Sequence, residues 1–488
     1  MSTLKLLSKD TAVYGIGTVL KKIIGLFLLP FYTRALSPSE FGILSTLSTI
    51  ILLATALLSL GLSGATSRYY FIAESIKEKG KVLYTSLVIR LFSYLVPLSI
   101  LVFFTENISQ LLFNTKDYKY AVVFTLFTIF LTAMFNIQMQ IFRFNRQPWK
   151  FSLVNIVRAV TTPASGILLV VILEYGVFGA TLASMISSMF VLIFAFFYYT
   201  RKKYYTVFSF YWAKKMLKFG WPLIFSGILL WINNSSDRFF ILHYADLEQL
   251  GFYSIGNTFS QPIFIINMAL TMGAAVLVFS LFSEEKKDKN KPKTKEFLTK
   301  IWYSYLSIGV TVAIIISVFS YEIVKFVTTP EYIMGILAIP FLVFGHLFYQ
   351  SSQITGNGMT LLEKSKPYFW IMLVSAGVNV ILNFFFVPRF GFVGAAITTV
   401  FSNFIYFIIA YFWSQKVFYI KRSFVKPMMF LLIGLCISIF FPFAQLRFNM
   451  EISFLYKLIA VLFSFILPFL FGLVNVNILT NLKPIKKK

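Results

Sequence analysis

Residues 173–199 read LEYGVFGATLASMISSMFVLIFAFFYY, and residues 387–413 read VPRFGFVGAAITTVFSNFIYFIIAYFW. Each opens on a glycine-bearing turn and then runs uncharged for the length a bilayer crossing needs, about 20 residues at roughly 1.5 Å rise. Gly176 aligns with Gly391, Tyr175 with Phe390, and Gly179-Ala180 with Gly394-Ala395. Two like spans about 215 residues apart in one chain point to an internal duplication.

Composition agrees with a chain built of such segments. Of 488 residues, 58% are hydrophobic and only 13% charged, where an ordinary soluble protein is about a quarter charged. Mean hydropathy is +0.79. One cysteine, Cys436, excludes an internal disulfide framework and a thiol-rich metal site. The N-terminal apolar run has no small-x-small cleavage site, so it reads as a retained span rather than a signal peptide.

Hydropathy and breakers predict an all-α polytopic membrane protein of about fourteen transmembrane helices. Predicted starts lie near Ala12, Phe41, Tyr84, Tyr120, Phe151, Val177, Leu217, Leu250, Leu298, Ile333, Tyr368, Phe392, Phe424 and Phe454. Most of the 44 Lys and Arg fall in alternate loops, among them KEKGK (77–81), RFNRQPWK (143–150), RKK (201–203), EEKKDKNKPKTKE (284–296) and the KPIKKK tail. Loops rich in Lys and Arg stay in the cytoplasm, which puts both termini there. The same distribution accounts for the formal charge of +26 without nucleic acid, since the cations are spread over short loops beside spans.

The duplication extends beyond the opening pair. SEFGILS (39–45) is similar to EQLGFYS (248–254), and RQPW (146–149) to KSKPY (364–368). The expected architecture is two pseudo-symmetric six-helix bundles, 1–203 and 204–415, with two further helices and a basic tail in 416–488. Six spans per repeat make the halves parallel. Transporters of this kind hold substrate between halves and expose it to each side in turn.

Charge inside the spans bears on the passenger. Lys21 and Lys22 sit in the middle of AVYGIGTVLKKIIGLFLLPFYTRALSPSEFG (12–42), on or beside a small polar face of Tyr14, Gly17, Thr18 and Gly25. A cation at mid-bilayer is costly unless it faces a wet cavity or an anion. Arg34, Arg90 and Arg158 are further cationic candidates. Asn155, Asn233, Asn379 and Asn383 are candidates for a polar lining, with hydrogen-bonded glue between helices as the alternative. Asp237, Arg238, Glu174 and His346 are candidates for coupling or gating. No acid falls near mid-membrane, which favours an anionic passenger over a cationic drug. No phosphate-binding Gly-rich loop, metal-ligand spacing or nucleophile triad occurs, so neither an enzyme nor a cofactor is expected.

The opening SKDTAVYGIGTVLKKIIGLFLLPFYTRALSPSEFG, the YGVFGA and FGFVGAA turns, and SSDRFFIL followed by LGFYSI resemble a known family. They are similar to Wzx-type polysaccharide repeat-unit flippases, the polysaccharide transporter branch of the multidrug/oligosaccharidyl-lipid/polysaccharide exporter superfamily. The resemblance implies a multi-pass protein of the bacterial cytoplasmic (inner) membrane. Its expected substrate is an undecaprenyl-diphosphate-linked oligosaccharide for O-antigen, capsule or exopolysaccharide, moved by alternating access. It also implies membrane lipids as partners, and a polysaccharide polymerase and chain-length regulator as associates of what is expected to be a monomer. The diphosphate would be the anion that Lys21, Lys22, Arg34, Arg90 and Arg158 await. A lipid II-type flippase and a non-transporting scaffold in a glycan-assembly complex are the competing readings.

Overall fold

The computed structural model describes residues 24–199, 206–287, 293–364, 366–447 and 452–474. Among them the chain is 88% helical and contains no strand. The elements are α1 (Ile24–Ala35), α2 (Pro38–Leu58), α3 (Leu62–Ile72), α4 (Ile76–Phe103), α5 (Thr105–Phe113), α6 (Lys119–Phe144), α7 (Pro148–Gly166), α8 (Gly176–Tyr199), α9 (Phe210–Ser235) and α10 (Asp237–Tyr244). There follow α11 (Leu247–Ser260), α12 (Pro262–Lys287), α13 (Thr294–Val318), α14 (Ser320–Val327), α15 (Ile339–Thr355), α16 (Asn357–Leu361), α17 (Lys366–Val417), α18 (Val425–Arg447) and α19 (Phe454–Leu470). Nine described helices are long and apolar enough to cross a membrane, or ten with the bent pair Pro330–Leu337 and Ile339–Leu361 taken as one span. α17 is one of the nine, yet Gly391 (φ 55°, ψ −136°) divides it into two helices at the turn where the sequence predicts a new span.

Local chemistry sets the boundaries. Ser37 caps α2, its Oγ accepting from the Glu40 N–H while Glu40 accepts from the Ser37 N–H, and Pro38 occupies the first helical position. Asp246 caps α11 through its side chain: Oδ1 accepts from the Gln249 N–H at 2.7 Å and Oδ2 from its amide at 3.3 Å. Pro163 removes a donor within α7, which widens into a π turn at Ile167–Ile172.

The duplication recurs in the backbone. Phe104 (φ −106°, ψ 15°) and Phe319 (φ −97°, ψ 15°) end α4 and α13 alike, and a short helix follows each. Arg146 and Glu363 both adopt left-handed φ, and the next N–H reaches back five residues, Gln147 to Phe142 and Lys364 to Met359, as in a Schellman end. Gly176 and Gly391 have φ of 53° and 55°.

The chain forms two compact units. One comprises residues 24–251 and 383–391 and the other 252–382 and 392–474. In the first, α6 is the most enclosed long helix, with Leu126, Ile129, Ala133, Phe135 and Phe142 buried. α9 packs antiparallel to α2 and α3 there: Gly61 meets Gly220, Ala56 meets Gly227, and the Trp231 indole N–H donates to the Thr49 carbonyl at 3.1 Å. Small residues let the backbones approach, which is how helices associate where lipid is already apolar. In the second unit α13 is the axis, with Trp302, Tyr305, Val310, Ile314 and Val318 inaccessible. Phe27, Phe103, Phe197 and many other large apolar side chains are exposed, as on a lipid-solvated surface.

Candidate functional site

Among the described residues of the first unit, Arg90 is a buried cation. It lies mid-way along α4 at 3% exposure. Its Nη2 donates to Ser63 Oγ at 3.4 Å and to Gln140 Oε1 at 3.3 Å, while Nε is buried with no acceptor. Gln140 is itself fixed, its amide donating to the Ser63 carbonyl at 2.7 Å. Neutral oxygens orient the guanidinium but do not neutralise it, and a buried charge so held is stabilised by an incoming anion. The sequence singles out Arg90 but not its partners. Their signal is IQMQI (137–141), where Gln138 and Gln140 interrupt an apolar span.

The other cationic candidates are disposed differently. Arg158 on α7 is half-buried, its guanidinium 4.9 Å from the centroid of Phe135. Asn155, one turn before it, donates to the Phe151 carbonyl at 2.9 Å. Arg34 is exposed near the end of α1. Lys21 and Lys22, with Tyr14, Gly17 and Thr18, lie outside the described residues.

Asp237 and Asn383 meet although 146 residues separate them. Asp237, at the start of α10, is 1% exposed, and its Oδ1 accepts from the Asn383 amide at 2.6 Å. The Nε of Arg238 donates to Ser45 Oγ on α2 at 2.9 Å. Asn233 is buried one turn earlier on α9. Glu174 is exposed in the turn before α8 and holds a left-handed φ of 55°.

In the second unit, Asn379 donates to Ser402 Oγ at 3.3 Å, and Ser375 donates to the Ser402 carbonyl at 2.9 Å. These two contacts bridge the segments of α17 that flank Gly391. The His346 ring nitrogen is 3.4 Å from Asn257 Oδ1, and the ring packs on Phe264 with centroids 4.8 Å apart. Arg422, in the loop before α18, lies 4.6 Å from the Trp302 ring and 5.0 Å from the Tyr411 ring. Burial holds its pKa below the usual arginine value. Neither this contact nor the amide pair Asn267–Gln350 is foreseen by the sequence, because aromatic and amide positions are common in every span. No group of three or more His, Cys, Asp or Glu able to hold a metal occurs among the described residues.

Helix bundles with broken spans, duplicated turns and a cation inside define an all-α multi-pass membrane protein of the transporter class. The chain belongs to the polysaccharide biosynthesis protein family, which it matches over residues 7–283, and a MatE match covers 222–385. These are families of transporters and flippases rather than enzymes. It is 27% identical over 366 residues to Lsg locus putative protein 1 of Haemophilus influenzae, spanning 70% of this chain and 84% of that protein. Its fold is similar to that of lipid II flippase MurJ in an inward closed conformation, at TM-score 0.74 and 19% identity, covering 96% of this chain and all (100%) of that one. It is also similar to an inward-facing multidrug resistance MATE family transporter of the MOP superfamily, at TM-score 0.58 and 15% identity, over 85% and 94%.

Proposed function

We propose that this protein moves an anionic undecaprenyl-diphosphate-linked oligosaccharide across the bacterial cytoplasmic membrane, by alternating access, for assembly of a surface polysaccharide. The observation that carries the reading is Arg90, a buried guanidinium held, among the described residues, by a hydroxyl and an amide and by no carboxylate. An interior that keeps a cation uncompensated attracts a diphosphate and repels a cationic drug. Lys21, Lys22, Arg34 and Arg158 are assigned to the same anion, and the four asparagines to polar lining. Asp237, with its partner Asn383, is assigned to coupling alongside Arg238, Glu174 and His346. Fourteen spans, cytoplasmic termini, halves 1–203 and 204–415 and an appended pair in 416–488 belong to this reading, as do monomeric function and association with a polymerase and chain-length regulator.

The test is translocation of a fluorescent undecaprenyl-diphosphate oligosaccharide in proteoliposomes. Wild type is expected to flip it, and Arg90→Met and the Lys21→Gln/Lys22→Gln double variant to lose at least tenfold in rate while remaining folded. Equal flipping by all three removes the cationic-cavity mechanism, and no flipping by wild type removes the substrate. A lipid II-type substrate is the second reading, favoured by the closeness in fold to the lipid II flippase. Lipid II outcompeting the oligosaccharide would establish it.

A further inference from the structure

In the unit of residues 252–382 and 392–474, α12, α13, α15 and α16 enclose a cavity of about 310 Å³. Its lining includes Asn267, Thr271, Gln353, Asn357 and Thr360, with Phe279 at one wall, and among the described residues none that lines it is charged. Asn267 is its fixed point. The Asn267 amide nitrogen donates to Gln350 Oε1 at 2.6 Å, which orients the carboxamide, and its Oδ1 is buried with no donor. Asn267 is only 8% exposed and its Oδ1 is buried without a protein donor among the described residues, a cost that a donating ligand offsets.

The chemistry of the lining narrows the ligand. A charged group would enter without a counter-charge. A hydrocarbon tail would leave Asn267 Oδ1 unmatched and desolvate Gln353, Asn357 and both threonines. Carboxamides and hydroxyls each donate and accept, which suits a ring edge bearing hydroxyl groups. Phe279, 55% exposed, offers an apolar face to the C–H surface of such a ring. The volume is at the small end of the small-molecule range of about 300–1,000 Å³.

We propose that this cavity binds one neutral, hydroxyl-bearing sugar residue. As a glycan subsite it rests on the flippase reading above, since the sugar would be part of the lipid-linked cargo; sugar binding itself does not. The two are separated by using three probes on the full chain. The first is fluorescent undecaprenyl-diphosphate oligosaccharide in proteoliposomes, the second is undecaprenyl diphosphate without sugar, and the third is a panel of neutral methyl glycosides followed by saturation-transfer NMR. Asn267→Leu and the milder Gln353→Leu are expected to slow the glycosylated substrate at least tenfold, to leave the sugar-free lipid within twofold, and to abolish glycoside signals seen with wild type. If the variants slow both lipids equally, or neither, and wild type gives no glycoside signal, the cavity is structural or holds only water and the proposal is overturned. If wild type moves neither lipid but binds glycosides through Asn267, the flippase reading fails and the sugar site stands. Should Asn267→Leu not fold, Gln353→Leu decides alone.

Discussion

Gly42 on α2 and Gly251 on α11 hold the same place in the two repeats and pack into each other's helix starts. A Cβ on Gly42 would overlap the Leu247 carbonyl oxygen, and one on Gly251 would overlap the Pro38 carbonyl oxygen. The residues before them match as well. Glu40 lies over Gly176 and Gln249 lies over Gly391, so each repeat's capping residue covers the left-handed glycine of the same repeat.

The contact is backbone against backbone, with no flexible side chain to yield. Gly42→Ala and Gly251→Ala should therefore each destabilise the folded chain by about 1–3 kcal/mol, the usual cost of overpacking. Thermal unfolding in detergent measures this. Unchanged midpoints would mean that the two helix starts do not touch in solution.

Gly391 has a second reason to be glycine, its φ of 55°. Gly391→Ala adds about 1–2 kcal/mol of left-handed strain and displaces the Gln249 side chain. Gly176→Ala carries the strain with a looser contact, the Glu40 oxygen lying 3.1 Å from the new Cβ, so its loss should be smaller. Gly377 is helical with nothing within 4 Å. Gly377→Ala should stabilise by roughly 0.5–1 kcal/mol. The order of the three unfolding midpoints is the check, and a reversed order refutes the backbone account.

Arg90→Met should separate stability from activity. Removing a buried charge held only by neutral acceptors also removes its desolvation cost, so the unfolding midpoint of Arg90→Met is expected to match or exceed that of wild type. A variant as stable as wild type that has lost flipping assigns Arg90 to the cargo. Lost stability with activity retained in the folded fraction assigns it to architecture.

Asp237 and Asn383 should behave as one unit. Asn383→Ala leaves a buried carboxylate oxygen without its 2.6 Å donor, at a cost of about 1–3 kcal/mol or more. Asp237→Asn keeps the shape and removes the charge. A double-mutant cycle should return a coupling of about 0.5–3 kcal/mol. A coupling near zero dismisses the pair. If Asp237→Asn also abolishes flipping with folding intact, the carboxylate charge takes part in coupling.

Much of the fold was legible in the sequence because a bilayer imposes a length and an apolar content on every crossing. A described helix lies at or within a residue of each predicted start from Phe41 onward, with Ile333 in the 3-10 stretch Pro330–Leu337, and the paired turns at Gly176 and Gly391 share a positive φ. The capping box at Ser37 and the Asp246 cap are local, so they too could be read along the chain. The polar candidates were visible as charged or amide residues in or beside apolar runs; Arg90, Asp237 and Asn383 are buried and bonded, whereas Arg34 and Glu174 are exposed.

Partners were not legible. Arg90 finds Gln140 and Ser63, Asp237 finds Asn383, and Asn267 finds Gln350 across 27 to 146 residues of chain. Hydropathy fixes where a helix crosses but not its rotation or its neighbours. Those follow from how closely small residues such as Gly61 and Gly220 let backbones approach, and which polar atoms then lie opposite one another. For the same reason the packing of α9 and α10 with α2–α4, in a unit reaching to Gly251, is a property of the tertiary structure alone. The sequence by itself determined the class and the paired glycine turns. Only tertiary packing decided which groups meet, because packing and hydrogen bonding join residues by distance in space and not along the chain.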